Sequence, residues 1–349
     1  MPAGRILTAA MLLVTAMAGL VRAEDPIRFE IADNPSGSAA SPGSSDDVAG
    51  LCPNGGPRWT VAADALFLWR SPTRGASLLV GEPGAVAELD SSDLRTGAAA
   101  VPRLDIIYHW SPEREIEVNL FGSDAWKSTA DFPTPNPNGP VTSYLLNVDS
   151  ISSAAVANAS FQCRTALYSA ELNVRQPACE AFVPFFGFRW IELLDKYHVD
   201  ATETPTPLVL KQDTSARNHL YGFQLGADTR LPIASRFGLD FVGKAGVFYN
   251  SASQTSNLSD GLGGTYGVAS VAANKDCVAF FGELALNATC QVTSHLNLRA
   301  GYQIMWLDGV ALAARQGIEN DLVNTQHGGV DTHGNLIFHG ASAGLEINW

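Results

Sequence analysis

Long apolar runs are scarce in this sequence of 349 residues. Beyond residue 25, no apolar stretch reaches the roughly 18 to 20 residues that a membrane-spanning helix needs. Basic residues are scarce too, with 22 Lys and Arg against 35 Asp and Glu and a formal net charge of −13. The first deficit excludes a helical membrane protein. The second argues against a chain that neutralises nucleic-acid phosphates, so no nucleic-acid partner is expected.

Charged residues make up only 16% of the chain, whereas apolar types make up 46%. This balance excludes a wholly disordered protein, which would combine low hydrophobicity with high charge. The 32 Gly and 19 Pro are scattered without a period, which indicates many turns. The length allows two ordinary domains or one large all-β unit.

The N-terminal segment has the pattern of an export signal. Arg5 precedes the apolar stretch 6–20, and Val21-Arg22-Ala23 carries small residues at the two positions that a signal peptidase reads. We therefore expect 1–23 to be a signal peptide cleaved after Ala23. Residues 24–57 are rich in Ser, Gly, Pro, Ala and Asp, which predicts a disordered periplasmic leader before a folded domain at 58–349.

From Trp59 onward, apolar residues recur with a period of two. In 294–306, for example, Leu296, Leu298 and Tyr302 alternate with polar neighbours, as in a strand with one apolar face. Ten segments of this kind predict ten strands. They are 59–69, 103–110, 115–120, 164–175, 182–191, 221–228, 237–247, 280–289, 294–306 and 335–349.

The lengths of the strands and of their connections favour a transmembrane β-barrel over a soluble sandwich or propeller. About eleven residues at ~3.3 Å each, tilted by ~40°, cover the apolar thickness of an outer membrane. Short turns alternate with long connections, which are expected at 70–99, 122–163, 192–217, 250–276 and 307–334. We therefore predict an antiparallel up-and-down barrel with short periplasmic turns and long external loops. It has ten strands, or twelve if 141–148 and 156–162 form another hairpin.

Aromatic residues near the strand ends predict two interfacial girdles against outer-membrane lipid. Their expected members are Trp59, Trp69, Tyr108, Trp110, Trp190, Tyr221, Trp306 and Trp349, together with Phe182, Phe237, Phe248 and Phe280. The last strand ends at Trp349 with apolar residues on the same face. Such a strand resembles the recognition signal of the barrel assembly machinery, which is thus an expected partner.

Several segments resemble the putative β-barrel porin family of planctomycete bacteria. The likeness covers about 59–349 and is carried by WTVAADALFLWRS, VPRLDIIYHWSPEREIEVNLFG, FVPFFGFRWIELL, LYGFQLGADTRL and LRAGYQIMWLDGVALA. The resemblance implies an outer-membrane location in the cell envelope and a pore-type function. It implies no catalytic residue.

If the apolar strand faces meet lipid, charged side chains face the lumen. The expected lumen-lining residues are Asp64, Arg103, Asp105, Glu115, Glu117, Glu171, Arg175, Arg189, Asp228, Arg230, Asp240, Lys244, Glu283, Arg299 and Glu346. They could form a narrow aqueous path with a mild cation preference, or a salt-bridged network that plugs the barrel. The predicted function is a small porin-like channel for hydrophilic solutes or ions. The alternative is a non-conducting structural or adhesive barrel.

Neither enzymatic nor cofactor chemistry is expected. No Gly-x-Ser-x-Gly, Walker or His-Glu-x-x-His motif occurs, and the spacing of His327, Asp331, His333 and His339 matches no metal-site template. Among the five cysteines, the ten-strand arrangement leaves Cys163 and Cys277 as the one external pair able to form a disulfide. The alternative is five unpaired thiols.

Overall fold

The computed structural model describes residues 57–73, 77–81, 86–132, 144–146, 155–179, 181–203, 209–260, 268–320 and 328–349. The predicted signal peptide and all of the predicted leader except Pro57 lie outside these residues. In the described part of the chain, no helix is long and apolar enough to cross a membrane.

Strands dominate the described residues. They are β1 (Trp59–Arg70), β2 (Ser77–Gly81), β3 (Val86–Asp90), β4 (Ala99–Ser111), β5 (Arg114–Phe132), β6 (Tyr144–Leu146), β7 (Ala155–Arg175), β8 (Phe182–Glu203), β9 (Val209–Ala234), β10 (Phe237–Asp260), β11 (Val268–Gln291), β12 (Leu296–Val310) and β13 (Gly334–Asn348). A 3-10 turn (Ser91–Asp93) and one helix, α1 (Ala313–Glu319), complete the described elements.

Ten of these strands close an antiparallel barrel. The cyclic order is β1, β4, β5, β7, β8, β9, β10, β11, β12 and β13, and β13 pairs with β1. Each barrel strand therefore pairs with the barrel strands before and after it in the chain, and the first pairs with the last. This confirms the predicted ten-strand up-and-down barrel.

The twelve-strand alternative is wrong, although its hairpin is present in part. β6 pairs with Ala155 and Val156 at the start of β7, and β2 and β3 extend this small sheet. Residues 156–162, however, belong to β7 itself, which pairs there with β5 and β8. The hairpin is thus an appendage at one end of β7, because its second half already belongs to a barrel strand.

Strands β7 to β11 are about twice as long as predicted, with 21, 22, 26, 24 and 24 residues. Much of the expected loops 192–217 and 250–276 is therefore strand. The prediction ended each strand where its outward apolar residues end. In β8, for example, the outward residues change from Phe186 and Phe188 to Lys196 and His198. A ladder of paired strands needs no lipid, so it continues into water.

The extension is one-sided. β4 pairs with β5 only as far as Phe121, and β12 pairs with β11 only from Phe280 onward. Beyond this level β5 and β7 to β11 continue as an open sheet, here called the outer wall. It comprises 123–132, 155–167, 193–203, 209–218, 252–260 and 268–275. Helix α1, in the connection from β12 to β13, packs against β8, β9 and β10.

Candidate functional site: the barrel lumen

The outer surface of the barrel is an apolar belt edged by aromatic residues. The eight Trp and Tyr residues expected in the girdles all lie on outward positions of their strands or at a strand end, and Trp69 stacks on His339. Phe182, Phe237 and Phe280 are also exposed there. Phe248 is an exception, because it is 1% exposed and faces the lumen. Its neighbour Tyr249 faces outward instead, as the alternation along β10 requires.

All fifteen charged residues expected in the lumen lie on inward positions of their strands. They form four groups. The first centres on Arg175, whose guanidinium donates to Glu115 at 3.0 Å, Glu117 at 3.1 Å and Asp228 at 3.0 Å. These carboxylates come from β5 and β9, so one β7 side chain joins three strands.

The second group crosses the lumen at Arg189, which is 0% exposed. Its Nη1 lies 3.1 Å from a carboxylate oxygen of Glu171 and 3.1 Å from one of Glu283, which belongs to β11. The guanidinium carbon also lies 3.8 Å from the ring centroid of Phe281. Lys244 contacts the other oxygen of Glu171 at 2.9 Å. Two buried cations and two buried carboxylates thus connect β7, β8, β10 and β11.

The third group joins β4 to β1 and β12. Arg103 donates two hydrogen bonds to Asp64 Oδ2, at 3.0 and 2.6 Å, and one to Gln303 at 2.8 Å. A guanidinium that donates to one acceptor group through two nitrogens is held firmly in orientation. This residue therefore ties the seam where the first and last strands of the chain meet.

The fourth group lies near the end of the barrel that carries the short turns, here called the turn end, and is less buried. Arg230 donates to Asp240 at 2.8 Å, and both Arg230 and Arg299 lie near Glu346, at 3.7 and 3.5 Å. Asp105 belongs to none of these groups, because among the described residues it is the one lumen charge without an ion pair. Its Oδ1 is buried without a hydrogen-bond partner there.

Asp105 and its neighbours line a polar cavity of about 200 Å³. Glu115, Glu117, Arg175 and Asp228 also line it, so it occupies the turn half of the lumen. No residue of the apolar layer described next is among its lining residues. The cavity therefore ends inside the barrel.

An apolar layer fills the other half of the lumen. Trp126 is fully buried, donates through Nε1 to the carbonyl of Leu68 at 2.8 Å, and contacts the ring of Phe338 edge-on at 5.0 Å. The larger members of this layer are Leu66, Leu68, Val101, Phe121, Trp126, Leu167, Ile191, Leu193, Leu220, Phe248, Phe281, Met305, Leu307, Val310, Leu336 and Phe338, with Leu312 from the connection after β12. Apart from Leu312, they come from all ten barrel strands.

This layer was missed in the sequence. Trp126 falls in an expected loop, and the prediction read only the outward face of each strand. A signal was present in 65–69, where Leu66 and Leu68 make the inward face of β1 as apolar as its outward face.

Behind the outer wall, the connection from β12 to β13 is tied into the barrel by buried polar contacts. Asp195 accepts a hydrogen bond from the backbone of Ala313 at 2.9 Å and pairs with Arg70 at 3.2 Å. Asn218 exchanges two hydrogen bonds with the backbone of Ala311, at 2.8 and 2.7 Å. Helix α1 thus fills the space behind the wall as a fixed part of the fold.

The predicted disulfide is wrong. Cys163, Cys179, Cys277 and Cys290 are free thiols in the structure, while Cys52 lies outside the described residues. Strands β8, β9 and β10 lie between the strands of Cys163 and Cys277. The two cysteines were expected at the same end of the barrel, but this does not place them on neighbouring strands. Burial, reinforced by the nearby Asp195 carboxylate, raises the pKa of the Cys163 thiol to about 12.

The histidines near the C-terminus do not converge. His333 hydrogen-bonds Asp331, which also pairs with Arg315 at 2.6 Å, whereas His339 faces outward against Trp69. His327 lies outside the described residues. Among the residues that the structure describes, no group of three His, Cys, Asp or Glu could hold a metal ion.

Comparisons with solved structures find other barrels at low identity. The Escherichia coli outer membrane protease OmpT is 12% identical over 83% of this chain and 96% of its own, with a TM-score of 0.46. The translocator domain of the autotransporter NalP from Neisseria meningitidis is 11% identical over 86% and 91%, with a TM-score of 0.39. The Pseudomonas putida toluene transporter TodX is 10% identical over 85% and 91%, with a TM-score of 0.30.

No curated protein sequence matches the chain. A family model described as "Putative beta barrel porin-7" matches residues 142–335, which is more than half of the chain. The match spans β6 to β12 and the start of β13. Together with the apolar belt, it identifies an outer-membrane barrel with a porin-type fold.

Proposed function

We propose that this chain, which belongs to the putative beta barrel porin-7 family, is a closed barrel in the sense that its lumen is blocked. In this role it anchors the outer wall at the cell surface without conducting hydrophilic solutes. The observation that carries the proposal is the apolar layer, in which residues of all ten barrel strands fill the lumen. An ion crossing this layer would lose its hydration without gaining a partner, which is costly.

Among the residues that the structure describes, the layer is built mainly from the barrel's own side chains and not from an inserted segment. Its residues Leu66 and Leu68 belong to β1, Phe121 and Trp126 to β5, and Phe338 to β13. Opening a path would require these packed side chains to move aside. Barrels of about eight strands are filled by their side chains in the same way.

The second candidate is the porin-like channel for hydrophilic solutes or ions. The charged turn half of the lumen favours it, because seven acids and five bases of the expected lumen set line a polar cavity of about 200 Å³. A channel would use this cavity as its periplasmic entrance. It would also need a second conformation in which the apolar layer opens.

The membrane orientation belongs to the proposal as well. The short turns, the start of β1 and the end of β13 would face the periplasm. The outer wall would lie on the external side of the membrane. Residues 1–23 would act as a cleaved signal peptide. Strand β13, with its outward Leu345, Ile347 and terminal Trp349, would be the segment that the assembly machinery recognises.

Single-channel recording in planar bilayers tests the proposal. The refolded full chain is expected to stay silent under an applied voltage. A variant that thins the layer, Phe248→Ser with Phe281→Ser and Phe338→Ser, provides a positive control if it conducts. Steady ion-selective steps from the unchanged chain would refute closure and support the channel.

Arg103→Gln and Arg299→Gln separate the two candidates in a second way. In a closed barrel these changes should lower stability, because Asp64 loses its cation and Glu346 loses one of its two. In a channel they should shift the ion selectivity of the recorded steps.

A further inference from the structure

The exposed face of the outer wall carries a row of three cations. Lys127 on β5 pairs in register with Arg164 on β7, which pairs in register with Lys196 on β8. All three side chains are exposed. Arg217 on β9 is exposed next to this row, because it lies two residues from Ser215, the register partner of Lys196. These four residues are here called the basic row.

Like charges directly opposite one another on a sheet are destabilising. Only Arg164 has a close counterion within the described residues, namely Asp124 at 2.6 Å. Two carboxylates lie near the row on the side away from the aromatic girdle, and both are already paired. Asp213 and Asp200 contact His198, and Asp200 also contacts Lys211. In a chain with a net charge of −13, this row concentrates positive charge that the ion pair of Arg164 with Asp124 offsets only in part.

The basic row borders a concave site on the same face of the wall. Lys127, Arg164 and Lys196 line this hollow of about 480 Å³. Its other exposed or half-buried lining side chains bear hydroxyl, amide, carboxylate or imidazole groups. They are Thr129, Gln162, His198, Asp213, Ser215, Thr255 and Asn257. The volume lies within the range of small-molecule sites, and such groups suit the hydroxyls of a sugar.

The height of the row above the membrane narrows the class of ligand. Lys196 lies six residues beyond Trp190, which belongs to the aromatic girdle on β8. Six residues at ~3.3 Å, tilted by ~40°, correspond to about 15 Å. The polar headgroup region adds only about 5 to 8 Å per leaflet, so a phospholipid phosphate would lie too deep. An anionic group carried on a saccharide head would reach the row.

We propose that the basic row and its hollow bind the phosphorylated saccharide head of a glycolipid in the outer leaflet. Lys127, Arg164 and Lys196 contact the phosphate oxygens, and the polar side chains of the hollow contact the sugar. Arg217 reaches the same head from the membrane side. The proposal rests on the orientation given under the proposed function, but not on closure of the lumen.

Binding of a soluble probe tests this site on the refolded full chain in zwitterionic detergent. The probe is a deacylated glucosamine disaccharide with two phosphates, and isothermal titration measures its affinity. Lys127→Gln with Lys196→Gln should weaken binding at least tenfold. The matched control, Lys211→Gln with Lys275→Gln, removes two charges from the same wall and should change affinity less than twofold.

Three further results would overturn the proposal. The unphosphorylated disaccharide could bind equally well, which would remove the role of the cations. Inorganic phosphate alone could bind as tightly, which would indicate a site for free phosphate. Vesicles of phosphatidylcholine with phosphatidylglycerol could compete fully with the disaccharide, which would indicate a phospholipid site. Equal affinity of the two double variants, or no binding by the unchanged chain, would also refute it. Single-channel recording would change in none of these cases, so failure here is distinct from failure of closure.

Discussion

The two halves of the lumen are filled by different physical means. In the turn half, cations and carboxylates from separate strands pair across the interior and leave a polar cavity. In the outer half, Trp126, Phe338 and their apolar neighbours exclude water by packing. Arg189 lies where the two meet, with carboxylates on one side and the Phe281 ring on the other. Charge pairs thus link separate strands in one half, whereas apolar packing fills the other half.

The largest effect is expected in the apolar layer. Trp126→Ala should lower the free energy of unfolding by about 4 to 5 kcal/mol, because it leaves a large cavity and removes the hydrogen bond to the Leu68 carbonyl. Urea unfolding from lipid vesicles, followed by tryptophan fluorescence, measures the loss. Trp126→Phe keeps the ring and should cost only a fraction of this. A loss below about 1 kcal/mol for the Ala variant would show that the layer is loosely packed.

The next effect is expected at the boundary between the halves. Arg189→Met leaves Glu283 without its cation, while Lys244 still pairs with Glu171, so we expect a loss of about 3 kcal/mol. The same unfolding experiment measures it. Arg164→Gln, which breaks an exposed pair with Asp124, is the control and should cost at most about 1 kcal/mol. Equal losses would mean that the lumen pair is as hydrated as the surface pair.

A smaller effect is expected on the exposed face of the outer wall, where water screens charge. Partial burial lowers the pKa of His198, but hydrogen bonds to Asp200 and Asp213 and their charges outweigh it, so the pKa is raised. A raised folded-state pKa stabilises the fold fully below the unfolded value near 6.5, and the contribution is lost as pH rises through the folded-state pKa. The stability difference between the unchanged chain and His198→Gln should therefore be larger at pH 6 than at pH 9. A difference that grows with pH would contradict the assignment.

The smallest expected effect is a difference in the chemical labelling of two cysteines, which tests whether the space behind the outer wall excludes water. The pKa of Cys163, raised to about 12 by burial, leaves almost no thiolate at pH 8, whereas Cys179 is exposed. Iodoacetamide followed by peptide mapping should label Cys179 in the folded protein, and Cys163 only after unfolding. Fast labelling of Cys163 in the folded state would mean that water reaches this space.

Strand number and strand orientation could be predicted from single segments. The alternation in 294–306 and 237–247 is local, so it indicates which side chains share a face without knowledge of any partner. The same parity assigns Arg189 and Glu283 to the interior. Phe248 was predicted to face outward although the alternation along its strand places it inside, and that prediction was wrong.

Strand ends and cross-lumen contacts could not be predicted in this way. β8 continues past Leu194 because its neighbours β7 and β9 continue beside it, and that support is not visible in its own residues. Contacts such as Trp126 with Phe338 join positions more than two hundred residues apart.

By itself, the sequence determined that ten strands alternate in polarity, that their apolar faces suit lipid, and that charges accumulate on the opposite face. The tertiary structure decided that those charges pair, that an apolar layer fills the outer half of the lumen, and that β5 and β7 to β11 continue as a wall beyond the other barrel strands. The physical reason is the separation along the chain of the residues that determine each feature. Alternation follows from the backbone geometry of each strand, whereas closure depends on which strands face each other across a ring that only the pairing of β1 with β13 completes.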